Sequence, residues 1–164
     1  MAVTTKLQAN EKFPRKLLAH YLDENMGSMP KYVRIGKDLE AYSVAFNYDT
    51  ETKPNILGGS TTTLKPPKLE ASADTYYMRK DEKIGQLLFE KAMAGDTTGL
   101  RTTVIDAIFD TDGTCIVAYK HDCYLIPESV GGATDVNIPF KIAYDGNVEK
   151  GTMDLSKMTF SPAV

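Results

Sequence analysis

The sequence lacks tryptophan and has only two cysteines and two histidines among its 164 residues. Histidine and cysteine supply many metal ligands and catalytic groups, so the chain has few residues from which such a site could be built. No run approaches the 18 apolar residues of a membrane-crossing helix, and the first residues contain no apolar signal-peptide core. We therefore expect a protein without a membrane span that is synthesised in a cytoplasm.

An excess of basic residues is also missing. The chain has 19 Lys and Arg residues against 22 Asp and Glu residues, a net charge of −3. A domain that holds nucleic acid by its phosphates is expected to be basic. The imbalance is uneven, because residues 1–104 contain 15 basic and 13 acidic residues, whereas residues 105–164 contain 4 and 9. The C-terminal part, with a net charge of −5, therefore disfavours phosphate binding.

The length and the 42% hydrophobic content are typical of one globular domain. Residues 1–30 are polar and irregular, with Pro14 and Pro30 as breaks, and we interpret them as an N-terminal arm. Residues 31–164 are expected to form a single β domain. Within this domain, residues 49–67 show no periodic pattern and contain Pro54, Gly58 and Gly59, which predicts a long inter-strand loop.

Period-2 alternation of apolar and polar residues predicts about seven strands. The clearest alternation runs over residues 41–48, 68–77 and 136–144. Residues 100–109 and 114–126 read as a hairpin with Asp112-Gly113 as its two-residue turn, and Asp145-Gly146-Asn147 is expected to be another turn.

A helix is predicted between Asp81, as its N-cap, and Gly95. Its apolar stripe consists of Ile84, Leu87, Leu88 and Ala92. The expected fold is therefore mainly β, a sandwich or barrel with one flanking helix.

The motifs that resemble chemical sites do not meet the requirements of those sites. Counted from Asp110, Cys115 and His121 occupy the places where a calcium loop needs Gly and Glu. His121 and Cys123 share one strand face, but two ligands are too few for a closed zinc site. Cys115 and Cys123 would lie about 26 Å apart on one strand, beyond disulfide reach. We expect no metal, no cofactor, no catalytic residue and no enzymatic activity.

The order of elements resembles the tail tube (major tail) proteins of long-tailed bacteriophages. The resemblance covers most of residues 31–160 and follows the order of segments rather than one invariant motif. The segments that carry it are the strand 32–36, the run 39–48, the loop ending in 58–62, the segments 69–72 and 76–78, the helix 84–93 and the late strand 136–143.

The resemblance implies a β-sandwich or barrel shared with the tube protein of type VI secretion. It further implies that six copies form a ring and that rings stack into a hollow tube conducting genomic DNA from capsid to host cell. The implied location is the virion tail. The implied partners are other copies of the chain, the tape measure protein and other tail proteins, with DNA passing through unbound.

In the implied tube, residues 1–30 and 49–67 would contact neighbouring rings, and the polar strand faces would line the lumen. Two alternatives stay open: a tail terminator or a tube of a phage-derived bacteriocin or secretion system, and a small-ligand-binding β-barrel. The candidate ring-stacking residues are Asp49, Ile56, Leu57, Gly58, Gly59 and Leu64. The candidate lumen residues are Glu70, Ser72, Asp74, Asp135 and Asn137.

Overall fold

The computed structural model describes residues 6–26, 29–39 and 41–164 of the chain. Within these ranges the chain forms ten β-strands, one α-helix and a 3-10 turn. The strands are β1 (Leu18–Asp23), β2 (Tyr32–Ile35), β3 (Val44–Ala45), β4 (Thr50–Pro54), β5 (Ser60–Leu64), β6 (Glu70–Ala73), β7 (Arg101–Phe109), β8 (Cys115–Pro127), β9 (Phe140–Asp154) and β10 (Thr159–Pro162). The helix α1 spans Lys83–Ala94, and the 3-10 turn spans Arg15–Leu17.

One antiparallel sheet contains all strands except β4 and β5. Its order is β2-β1-β7-β8-β9-β6-β3, and β10 pairs with the C-terminal half of β9. The sheet curls into a half-barrel. The mainly β fold class with one helix, expected from the sequence, is confirmed.

In the part of the sheet formed by β1 and β7, a cluster of buried side chains lies on each face. Leu22 and Val104 belong to the main core, whereas their chain neighbours Tyr21 and Ile105 belong to a second cluster. Adjacent residues of a strand point to opposite faces, so these two strands are covered on both sides. The main core also takes in Ile84 and Leu88 of α1, Cys123 and Leu125 of β8, and Phe140 and Ile142 of β9.

The helix α1 begins two residues after the predicted N-cap Asp81 and packs on the main core. Glu82 is the N-cap and its side chain makes no capping hydrogen bond. The Lys83 N–H instead donates to Oε2 of Glu24, a buried carboxylate at the end of β1, 3.5 Å away. Gly95 ends the helix in the left-handed conformation (φ 67°), as predicted.

The predicted N-terminal arm, residues 1–30, is shorter in the structure. Residues 18–23 form β1, which lies between β2 and β7 in the main sheet. Because β1 is covered on both faces, it has no apolar–polar alternation from which a strand could be recognised. Residues 6–14 precede the sheet as an irregular, largely exposed segment, and residues 1–5 and 27–28 of the predicted arm lie outside the described residues.

Two predicted turns also differ from the structure. The β7–β8 connection is a longer turn in which Asp110 N–H donates to the Thr114 carbonyl, and the register shifts next to Phe109. Residues 145–147 do not turn the chain: β9 runs through them, and the pairing with β8 is interrupted there by a bulge. Turn-forming residues therefore mark bulges as well as chain reversals in this sheet.

Candidate assembly surfaces

The predicted loop 49–67 contains an ordered β-hairpin, β4–β5, which we call the hairpin. Its strands pair in register from Thr50 opposite Leu64 to Pro54 opposite Ser60. At the base, the Lys65 N–H donates to the Asp49 carbonyl (2.8 Å). At the tip, Oδ1 of Asn55 accepts the N–H groups of Leu57 and Gly59, each at 3.0 Å. In β4, Thr residues alternate with charged ones, and β5 is mostly Ser and Thr. Both strands are exposed, so no apolar alternation signals them in the sequence.

All candidate ring-stacking residues lie on the hairpin or at its base, and every residue of both strands is exposed. The most exposed are Ile56 (102%) and Leu57 (91%) at the tip, and Leu64 is 61% exposed. An isolated two-stranded hairpin is at best marginally stable in water. Exposed aliphatic side chains on such an element are typical of a contact with another chain.

Beside the base of the hairpin the half-barrel leaves an apolar cavity of about 620 Å³, which we call the groove. It is lined by side chains from β1, β7, β8 and β9 and by residues on either side of the hairpin. Its apolar lining residues are Leu18, Val44, Phe46, Tyr48, Pro67, Leu69, Ile108, Val117, Tyr119 and Val148. Phe46 and Tyr48 are more than half exposed, so part of this lining is open to solvent.

A polar network lies beneath the groove. Nδ1 of His20 is 2.5 Å from Oδ1 of Asp106, and the Tyr144 hydroxyl donates to Oδ2 of the same carboxylate at 2.7 Å. A guanidinium nitrogen of Arg15 lies 3.2 Å from Nε2 of His20. Arginine can only donate, so Nε2 accepts and the Nδ1–H of His20 donates to Asp106. The network therefore fixes the orientation of the buried His20 ring, with Nδ1 toward Asp106 and Nε2 toward Arg15.

Burial controls the titration of the groups around this network. Desolvation, with a smaller contribution from the Asp106 charge, raises the pKa of both Tyr144 and Tyr42. Desolvation lowers the pKa of His121, which contacts the Tyr144 ring edge-on. Nδ1 of His121 is buried and has no hydrogen-bond partner among the described residues. His121 is therefore a neutral side chain with one unused polar atom near the groove.

Neither the groove nor its network was predicted from the sequence. Asp106 offers the one usable signal, since it is a lone carboxylate inside the apolar segment 103–109. A carboxylate in a buried strand needs partners. Its partners, His20 and Tyr144, are 86 and 38 residues away, and the sequence alone does not bring them together.

The candidate lumen residues divide into two groups. Glu70 and Ser72 lie on β6, and Asp74 follows it, with the Ser72 hydroxyl donating to the Asp74 carboxylate. Asn137 has a structural role instead: its Oδ1 accepts the Tyr76 N–H, and its backbone pairs with Gly131. Asp135 is exposed in the connection before β9. Which of these side chains line a lumen stays a prediction, since one subunit does not define the axis of a ring.

The positions weighed as chemical sites have structural explanations. Cys115 and Cys123 are both free thiols, and burial raises the pKa of Cys123 to about 12. Across the described ranges, no three His, Cys, Asp or Glu side chains are grouped so that they could hold a metal ion. In the same part of the chain no helix is long and apolar enough to cross a membrane.

Comparison with solved structures finds the same fold in a protein of a phage-related particle. A chain in the cryo-EM structure of the anti-feeding prophage cap, described as the tube terminating cap, matches with a TM-score of 0.55. The match covers 93% of this chain and 99% of that chain at 12% sequence identity. No protein-family model matches the sequence, and no curated protein is similar to it. The likeness shows that the two chains share one fold over almost their whole lengths.

Proposed function

We propose that the chain is a structural subunit of a phage-tail-type tube. In this proposal six copies form a ring, and rings stack into a hollow tube through which genomic DNA passes from capsid to host cell. The observation that carries the proposal is the fold likeness to the tube terminating cap over 93% of the chain. The order of sequence segments, which resembles tail tube proteins, supports it independently.

The exposed features of the subunit fit such an assembly. The hairpin and the groove are different surfaces, so a contact between them is heterologous, and heterologous contacts generate rings or open stacks. The main sheet also leaves β2 and β3 unpaired on their outer edges within the described residues, and open edges favour pairing with another chain. Burial of Ile56 and Leu57 would contribute about 1.5–3 kcal/mol for each side chain. Further copies of the chain and other tail proteins are the expected partners, and no catalytic role is proposed.

The charge balance fits a conduit that does not retain its cargo. A net charge of −3, with the excess in residues 105–164, disfavours counterion-release binding to phosphates. Glu70 and Asp74 are exposed carboxylates without an ion-pair partner among the described residues, and they are the strongest candidates for a lumen surface that repels DNA.

A tube-terminating ring is the second candidate, because the matched solved structure is itself described as a tube terminating cap. A terminator and a tube subunit differ in what they do to a growing tube. A tube subunit polymerises and extends tube ends, whereas a terminating ring binds an end and stops growth. Tubes of a phage-derived bacteriocin or secretion system would show the same behaviour as a phage tube.

Electron microscopy of the purified protein separates these candidates. The protein is imaged in negative stain at rising concentration, alone and together with the other tail proteins. Tubes that lengthen with added protein are expected. Rings that cap preformed tubes and arrest their growth would assign the terminator role instead. A monomer under all these conditions would overturn the assembly proposal and favour a small-ligand-binding barrel.

The lumen assignment is tested by reversing its charge. Glu70→Lys with Asp74→Lys is expected to assemble normally and to slow DNA ejection several-fold, since lumen lysines would attract phosphates. Ejection is followed by dye fluorescence from released DNA. The matched control, Asp81→Lys with Glu90→Lys, reverses two exposed charges at α1 and should eject normally. Unchanged ejection from tubes of the first variant would remove Glu70 and Asp74 from the lumen.

A further inference from the structure

The groove has an apolar lining that is partly open to solvent, and the hairpin tip carries apolar side chains that are almost fully exposed. Ile56 and Leu57 are exposed to 102% and 91%. Apart from the terminal Val164, no other large hydrophobic side chain among the described residues is as exposed. The groove has a volume of about 620 Å³ and is lined mainly by aliphatic and aromatic side chains. Two large aliphatic side chains fit a cavity of this size, so the two surfaces match in chemistry and scale.

The tip cannot occupy the groove of its own subunit. Tyr48 and Pro67, immediately before and after the hairpin, line that groove. Seven residue-to-residue steps lead from Asp49 to Ile56, and at about 3.3 Å for each extended residue they place the tip about 23 Å from the base. The ladder of the hairpin is continuous from Thr50–Leu64 to Pro54–Ser60, so it does not fold back on itself. Any groove that the tip fills belongs to another molecule.

The distribution of charge also favours the hairpin tip as the occupant of the groove. The eleven residues from Pro54 to Leu64 form the longest run without a charged residue in the sequence. Two charged residues line the groove, and both have partners: Asp106 accepts hydrogen bonds from His20 and Tyr144, and Arg15 donates to the backbone carbonyl oxygens of Leu18 and Tyr42. An uncharged apolar segment can therefore enter without leaving a buried charge unpaired.

We propose that the groove of each subunit receives the hairpin tip of a second copy, with Ile56 and Leu57 seated against Phe46, Val117 and Val148. This inference rests on the proposed function, because it names the surfaces through which copies of the chain associate. The contact is directional, since each subunit donates a tip on one side and accepts one on another. Repetition of such a contact produces a ring or an extended stack rather than a closed dimer.

Disulfide trapping between two variants tests the contact directly. Leu57→Cys and Val148→Cys are each made in a Cys115→Ser background, which removes the one partly exposed native thiol. After the two proteins are mixed and oxidised, a cross-linked heterodimer is expected on a non-reducing gel. Leu57→Cys mixed with Glu90→Cys, on the exposed side of α1, is the control and should not cross-link.

The same samples are imaged, so failure of the contact and failure of the tube proposal give different results. Tubes without the Leu57–Val148 cross-link would overturn the docking contact and leave the tube proposal standing. The cross-link without rings or tubes would support the contact and overturn the tube proposal. Absence of both, with the other tail proteins present, would overturn both.

A blocking variant tests the groove without altering the hairpin. Val148→Trp fills the groove from its rim and is expected to lower the fraction of protein in tubes about tenfold or more. Val136→Trp is the matched control, because Val136 is 50% exposed, Val148 is 54% exposed, and Val136 lies away from the groove. Thermal unfolding of both variants verifies that they are folded. Equal tube yields from the two folded variants would overturn the proposal.

Discussion

Leu88 and Leu57 are the same type of residue in opposite situations. Leu88 on α1 is fully buried in the main core, whereas Leu57 at the hairpin tip is 91% exposed. The core beneath α1 is filled by side chains from β1, β7, β8 and β9, while the hairpin, whose strands are exposed throughout, is stabilised by its own ladder and turn. The comparison separates the part of the chain that stabilises the subunit from the part available to a neighbour.

The largest expected effect on subunit stability comes from Leu88→Asp. An unpaired charge in the main core should lower the free energy of unfolding by about 4 kcal/mol or more, enough to unfold a marginal domain. Chemical denaturation followed by circular dichroism measures it. Phe89→Asp is the control, since Phe89 is 38% exposed on the same helix and should cost much less. Equal stabilities of the two variants would show that α1 does not close the core.

Glu24→Ala is expected to have the next largest effect. Glu24 is 1% exposed, and its carboxylate pairs with Lys31 and accepts the first N–H of α1. Removal of the carboxylate should lower the free energy of unfolding by about 2–3 kcal/mol, because the helix start loses its partner. Urea denaturation measures this change. Glu24→Gln is the control, since it retains an oxygen that can accept the Lys83 N–H and should cost less; the reverse order would contradict this role for the Glu24 side chain.

A smaller effect is expected from the pH response of His121. Its pKa in the folded protein lies below the ordinary histidine value of about 6.5, because burial disfavours the charged form. Above that pH both states are neutral and nothing changes. As the pH falls below it, the unfolded chain binds a proton first, so the free energy of unfolding should decrease.

Comparison with His121→Phe isolates this response, since phenylalanine does not titrate. Thermal unfolding of both proteins between pH 7.5 and pH 5 should show a smaller loss of stability for the variant. Parallel curves for the two proteins would assign the pH response to other groups.

Deletion of Thr50–Leu64 is expected to change the free energy of unfolding least, by about 0.5 kcal/mol or less, because both strands are fully exposed. The same deletion should abolish tube formation, which electron microscopy measures. Full-length tubes built from this variant would contradict the assignment of the hairpin to ring stacking. A large loss of subunit stability would contradict the separation of core and hairpin.

The sequence predicted the half-exposed elements well. The second half of β8 and the start of β9 alternate between buried and exposed residues, because one side of each faces a core and the other faces solvent. The helix α1 and its end at Gly95 were predicted for the corresponding reason, since a one-sided apolar stripe has the helical period. Each of these signals is local, because it requires only that one face of an element be covered.

Elements that are covered on both faces, or on neither, were not predicted from the sequence. The strand β1 is covered on both faces and the hairpin on neither, so neither alternates, and the two were interpreted as an arm and a loop. Residues 145–147 read as a turn although β9 continues through them, since glycine and its polar neighbours accommodate a bulge as readily as a reversal. The sequence of residues 145–147 did not show whether the sheet has a bulge or a chain reversal there.

The sequence by itself determined the class of fold, the helix, most strands and the acidic balance. Only the tertiary structure decided that the hairpin is ordered and exposed, and that His20, Asp106 and Tyr144 meet beneath an apolar groove. Periodicity records how one element is divided between core and solvent. The groove is built from residues far apart in sequence, and their contacts depend on how the strands pair and how the sheet curls.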